Sequence, residues 1–190
     1  MTLKKIDLIG NGNSNCLFKS HATYVIACNI PQHKFPYNSL SIIDNRPLDW
    51  MKQNSWHPRV PVYCTEEVKH RAKKFNIQGD WFTVYKHRNK WNSGHHAVLH
   101  HGNMASEIHL WGFDSLFSKD LTSQCDVIIP RHARPPLNNH WHPIWLEIFD
   151  QIDCNIVLHI PKGEKCAITH EKIQTHEHET TDLALFVDNS

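Results

Sequence analysis

The chain predicts an α/β, Rossmann-like fold: a mostly parallel sheet with helices on both faces. Three observations carry this. Short apolar runs rich in β-branched and aromatic residues recur along the sequence, and several are apolar throughout, as strands covered on both faces are. Helical patterns lie between them, and strand–helix alternation marks parallel pairing. Two strands run into glycine-containing turns, Gly10-Asn11-Gly12 and Gly112-Phe113-Asp114, at the strand ends where a parallel sheet opens its ligand crevice.

The expected strands span residues 6–9, 24–28, 40–43, 60–64, 81–85, 108–111 and 156–160. Residues 49–54 read as a short helix. Thr65 is expected to cap a helix through Phe75, with Glu66 and Glu67 early and Lys73 and Lys74 late, as the helix dipole favours. Ser93 is expected to cap a helix through about Met104. Trp141, Ile144, Trp145, Ile148, Phe149 and Ile152 form an apolar stripe at helical spacing, so 141–152 reads as a helix. Residues 130–139 hold Pro130, Pro135 and Pro136 and read as a loop whose Arg131, His132 and Arg134 could face a ligand. Beyond Pro161 the chain turns polar. Residues 162–181 read as a hairpin or a mobile tail, and 183–187 as a last strand. The expected organisation is a nucleotide-binding domain over 1–161 and a His/Glu-rich extension over 162–190.

Composition bounds the function. With 190 residues the chain has room for one domain with a proper core. Twenty Lys+Arg against nineteen Asp+Glu argue against a whole-domain electrostatic grip on nucleic acid. The six cysteines include no CxxC pair, so zinc ribbons and thioredoxin-type motifs have no support. With no signal-like start and no run of apolar residues long enough to span a bilayer, a reduced, cytoplasmic protein is expected.

Several residues are candidates for a site. Gly10 and Gly12, followed by Asn13 and Ser14, would let backbone N–H groups approach a phosphate or ribose, or else form a plain tight turn. Asn29 and Asp44 follow the second and third strands, where they would meet a ligand or close an Asx-turn. Ser93, Gly94 and His95 stand at a helix start, which suits a phosphate or an ordinary cap. Gly112 and Asp114 end the sixth strand. His140 and His142 open the last helix, where a histidine could act as general base. Histidine is abundant, at seventeen, and is the commonest metal ligand. His170, His176 and His178, with Glu171, Glu177 and Glu179, match no standard metal spacing, so the tail is expected to bind metal only adventitiously.

Together these motifs resemble the sialyltransferase-like glycosyltransferases. Residues Ile9 to Ser14, with Tyr24 to Asn29 one strand later, resemble the family's large motif, although Ala27 stands where the family usually has arginine. Asn92-Ser93-Gly94, Ala97 and the strand running to Phe113 resemble its small motif, without that motif's middle threonine. His142, five residues before Glu147, is similar to the family's late His-x4-Glu motif, with His140 standing in for its other histidine. The resemblance covers residues 6–150. It implies inverting transfer of a sugar from a CMP-linked donor to a hydroxyl of a glycan or other acceptor. Asn11, Asn29 and Ser93 would hold the nucleotide, His142 would be the base, and no metal or other cofactor would be needed. A more distant similarity to pterin pyrophosphokinase-like proteins keeps two alternatives open. One is Mg²⁺-dependent pyrophosphoryl transfer through Asp44 and Asp114. The other is a binding module without chemistry.

Overall fold

The computed structural model describes residues 3–31, 35–117 and 141–179. Eight strands form one sheet: β1 (Leu3–Ile9), β2 (Tyr24–Cys28), β3 (Ser39–Ile42), β4 (Val62–Thr65), β5 (Trp81–Tyr85), β6 (Ala105–Trp111), β7 (Asn155–Pro161) and β8 (Ile173–His178). Four α-helices accompany them: α1 (Arg46–Gln53), α2 (Glu66–Lys74), α3 (Ser93–Gly102) and α4 (Trp141–Gln151). The strand order is β5-β4-β3-β2-β1-β6-β7-β8, and every adjacent pair is parallel. This is a Rossmann-like α/β fold. The chain winds outward from β1 to β5, then crosses back to place β6 on the other side of β1.

Alternation along the strands divides the interior in two. Ile6, Leu8, Ile26, Ile108, Leu110, Ile156 and Leu158 point to one face, where Ala97 and Val98 of α3 and Trp145, Ile148 and Phe149 of α4 cover them. Ala27, Leu40, Ile42, Val62 and Cys64 point to the other, under Leu48 and Met51 of α1 and Val68 and Ala72 of α2. Gly102 lets α3 and α4 close up, since a Cβ there would sit 2.5 Å from Ile152 Cγ2. Thr65 caps α2 as expected, its side chain accepting from Val68 N at 3.4 Å.

All seven expected strands form, β2 and β5 with the expected bounds. Two expectations differ from the structure. The cap of α3 is Asn92: its side chain accepts from His95 N at 2.9 Å, and His95 Nδ1 accepts from Asn92 N at 3.0 Å. Ser93 is therefore the first helical residue, and its hydroxyl is used elsewhere. The segment expected as a hairpin or tail instead contributes β8, a parallel strand at the sheet edge, so the sheet continues past Pro161 into the expected extension. Its sequence, Ile173-Gln174-Thr175-His176-Glu177-His178, is polar because an edge strand buries little. The proline-rich loop, with Arg131, His132 and Arg134, and the expected strand at 183–187 lie outside the described residues, as does His140.

Candidate functional site

The chain reverses its winding between β1 and β6, and the carboxyl ends of these two strands mark the switch point where open α/β sheets bind ligands. Their loops are fastened to each other. Gly10 N donates to Trp111 O at 2.7 Å, and Gly12 N to Gly112 O at 2.8 Å. A Cβ on Gly10 would lie 2.6 Å from Gly112 O, and one on Gly12 would lie 2.4 Å from Asp114 Cγ. Gly112 has φ +72°, in the left-handed region. These glycines allow two loops about one hundred residues apart in sequence to touch backbone to backbone.

Asp114 locks the same junction. It accepts from the Ser14 backbone N–H at 3.3 Å and from the Ser14 hydroxyl. It is 2% exposed, and burial pushes its carboxyl up to about 6 despite the opposing hydrogen bonds from Ser14. Asn13 precedes Ser14 on the short 3-10 turn Asn13–Leu17. Asn11, at the tip, carries a buried side-chain oxygen with no hydrogen-bond partner. An acceptor in that state is an opening for a donor from outside the chain.

Asn29 and Ser93, sixty-four residues apart, meet directly. The Ser93 hydroxyl donates to Asn29 Oδ1 at 3.0 Å. Asn29 follows β2 with φ +56°, a conformation asparagine tolerates better than most residues. Ser93 is anchored from below: its carbonyl accepts from Ser41 Oγ at 2.9 Å, and Tyr85 OH donates to Ser41 Oγ at 3.0 Å. With Oδ1 occupied, the Asn29 amide nitrogen is the donor left for a ligand. Gly94 packs under Phe113, where a Cβ would sit 2.5 Å from Cε1. His95 is fully buried, its ring 4.4 Å from that of Trp145. It serves the α3 cap and the core. Asp44 lies exposed in the turn after β3.

His142, near the start of α4, reaches back to the β6 loop. Its Nε2 lies 2.7 Å from Ser115 O, beside Asp114. A carbonyl only accepts, so Nε2 carries the proton and the lone pair of the neutral ring is on Nδ1. Glu147 pairs with Arg88 at 3.2 Å on the surface, away from His142. The structure thus brings Gly10, Gly12, Ser14, Gly112, Asp114 and His142 around the ends of β1 and β6. It brings Asn29 and Ser93 together at the ends of β2 and α3.

The main feature missed in the sequence is a histidine array on β6, β7 and β8. His109 Nδ1 and His159 Nε2 lie 2.9 Å apart, and His159 Nδ1 and His178 Nε2 lie 2.8 Å apart. His109 Nε2 is 2.8 Å from Glu107 Oε1, which in turn holds Lys5 Nζ at 2.6 Å. His21 stacks on His109 and His159, and the Trp111 ring lies 3.4 Å from that of His159. A period-two reading of Glu107-x-His109-x-Trp111 and His176-x-His178 would have flagged these positions as one sheet face. His170 is separate, bonding Asp150 of α4 at 3.2 Å. Among the described residues, no three His, Cys, Asp or Glu side chains are gathered to hold a metal ion.

The thiols offer no activated nucleophile among the described cysteines: burial pushes Cys28 up to about 12 and Cys16 up to about 11. A cavity of about 640 Å³, lined by Tyr37, Trp56, His57 and Arg59 among others, opens beside the segments that lead into β3 and β4. It is therefore at the amino edge of the sheet, opposite the switch point. Among the described residues, no helix is long and apolar enough to cross a membrane. No family model matches the chain, and no curated protein or solved structure matches it significantly.

Proposed function

We propose that the chain is a glycosyltransferase of the sialyltransferase-like kind, moving a sugar from a nucleotide donor, CMP-linked by the resemblance, to an acceptor hydroxyl. The observation that supports it best is the direct contact of Asn29 with Ser93. The resemblance pairs these two residues on one nucleotide, and they meet at the carboxyl edge of the sheet. In this reading the Asn29 amide and the unpartnered Asn11 oxygen bind ribose or base. The first turn of α3, behind Ser93, favours the donor's phosphate through its backbone N–H groups and dipole.

His142 is the base. Its Nε2–H on Ser115 O orients the ring, and Nδ1 takes the proton from the acceptor hydroxyl. The freed oxygen attacks the anomeric carbon from the side opposite the phosphate. The sugar–phosphate C–O bond breaks, its electron pair leaves on the nucleotide's phosphate oxygen, and the configuration inverts. No metal enters this reading. The pyrophosphoryl-transfer alternative asks Asp114 to hold Mg²⁺, and Asp114 is already committed to Ser14. The free thiols fit a reducing, cytoplasmic setting.

The test is thermal shift and calorimetry with CMP, CDP, UDP, GDP, ATP and CMP-sialic acid, with Mg²⁺ or with EDTA. Selective stabilisation by cytidine nucleotides, unchanged by EDTA, is expected; one hundred times Kd of ligand adds about 2.7 kcal/mol. The double variant Asn29→Ala/Ser93→Ala is expected to lose that response while remaining folded. ATP binding that needs Mg²⁺, or a double variant that binds cytidine nucleotides as tightly as the native chain, overturns the reading.

A further inference from the structure

The histidine array has a direction built into its hydrogen bonds. Glu107 is an acceptor, so His109 donates to it from Nε2. A neutral His109 then accepts at Nδ1, which requires His159 to donate from Nε2. His159 accepts in turn at Nδ1 from His178 Nε2. Each link between two rings holds one proton between two nitrogens. An added proton on the inner face of His109 or His159 would set two N–H groups head to head and break a link.

The surroundings reinforce this. His159 is 1% exposed and His109 6% exposed. The groups that face them from β6 and β1 are Glu107, Lys5 and Asp7. Asp7 is occupied by Trp111 Nε1 at 3.0 Å and by the backbone N–H groups of His21 and Ala22 at 2.8 and 2.9 Å. From β8 come His176 and His178, and from the segment after β1 comes His21. Glu177, Glu179 and Lys162 flank His178 at the carboxyl end of β8, with Lys162 on Glu179 at 2.6 Å and the Lys162 N–H on His178 O at 2.7 Å. Burial, joined by the neighbouring imidazoles, holds His159 down at about 2, and burial also lowers His109. Among the described residues, no carboxylate is bonded to His159 to offset a charge there.

What the array fastens is weakly held otherwise. The four central residues of β8 are exposed, and the strand sits at the sheet edge on its parallel ladder to β7. Such a segment lies at the low end of local stability. We propose that the Glu107–His109–His159–His178 chain is an acid-opened latch: at neutral pH it holds β8 on β7, and acidification releases β8 and the stacked His21 segment. The sign follows from linkage. A histidine kept neutral in the closed form and ionised in the open form stabilises the closed form above about pH 6.5, and that stabilisation is lost as pH falls.

The test is hydrogen exchange on the full chain at pH 7.5, 6.5, 5.5 and 4.5, corrected for intrinsic rates. The opening constant of β8 is expected to rise about tenfold per pH unit below 6.5 for each such histidine, while β2 and β3 stay protected. His159→Gln and His109→Gln each remove one of the two rings whose protonation breaks a link. Each is expected to make the response less steep by one such histidine. Should His159→Gln fail to fold, His109→Gln carries the test. A β8 opening constant that does not change between pH 7.5 and 4.5 overturns the latch. So does a folded variant whose β8 opens as steeply as the native chain.

Discussion

The two faces of β6 and β7 are made of the same strands and hold together by different physics. On one face Ile108, Leu110, Ile156 and Leu158 are wholly buried under α3 and α4. On the other, His109, Trp111 and His159 are as deeply buried among rings and hydrogen bonds. Apolar contact stabilises in proportion to buried area and takes no part in proton equilibria. A hydrogen-bonded imidazole chain contributes only while each ring keeps its tautomer. One sheet can therefore carry strand side chains that take no part in proton equilibria beside others that do, one residue apart in sequence.

The comparison can be broken first at its apolar side. Trp145 is fully buried and touches His95, Phe113 and Phe149. Trp145→Ala is expected to cost about 3–5 kcal/mol. In denaturant titrations that loss should be equal at pH 8 and pH 5.5. A loss that shrinks at the lower pH would mean that the two faces do not act independently.

Asp114 sharpens it with the opposite sign. Its raised carboxyl pKa favours the folded state in acid: that contribution is complete below the unfolded value near 4 and is lost as pH rises through about 6. Asp114→Asn should therefore exceed the native chain in stability at pH 7.5 by at most about 3 kcal/mol, and match it near pH 4. Chemical denaturation across this range reads the difference, and a constant offset would contradict it.

The smallest effect belongs to the cap of α3. Asn92→Ala should cost about 1 kcal/mol, with little pH dependence, because the cap serves the helix over the apolar face. A thermal-unfolding shift of this size, with β8 exchange unchanged, would keep the two faces separate.

Strands made of apolar β-branched and aromatic runs were legible in the sequence, and the polar strand was harder to read. β2 and β5 have the expected bounds because apolar β-branched and aromatic runs state their own length. β8 was not legible: its residues are polar, and its pairing is set by β7 lying alongside. The Gly-Asn-Gly turn was visible, but only the approach of Gly112 and Asp114 shows what its glycines are for. Ser93 was singled out as a helix cap, yet Asn92 takes that position and releases the Ser93 hydroxyl to Asn29. The period of two on β6 and β8 marks the histidines as face residues, but what joins them across β7 is strand register.

The central place of β1 has a consequence for synthesis. Its two neighbours are β2, which follows at once, and β6, which begins only at Ala105. While the ribosome is making the residues between them, β1 has one open edge and the loop at Gly10 and Gly12 lacks its clamp. Such long-range parallel pairing is intrinsically slow and exposes strand edges on the way. A nascent chain stopped before Ala105 would therefore carry β1 as an unpaired sheet edge, a template for association with other chains.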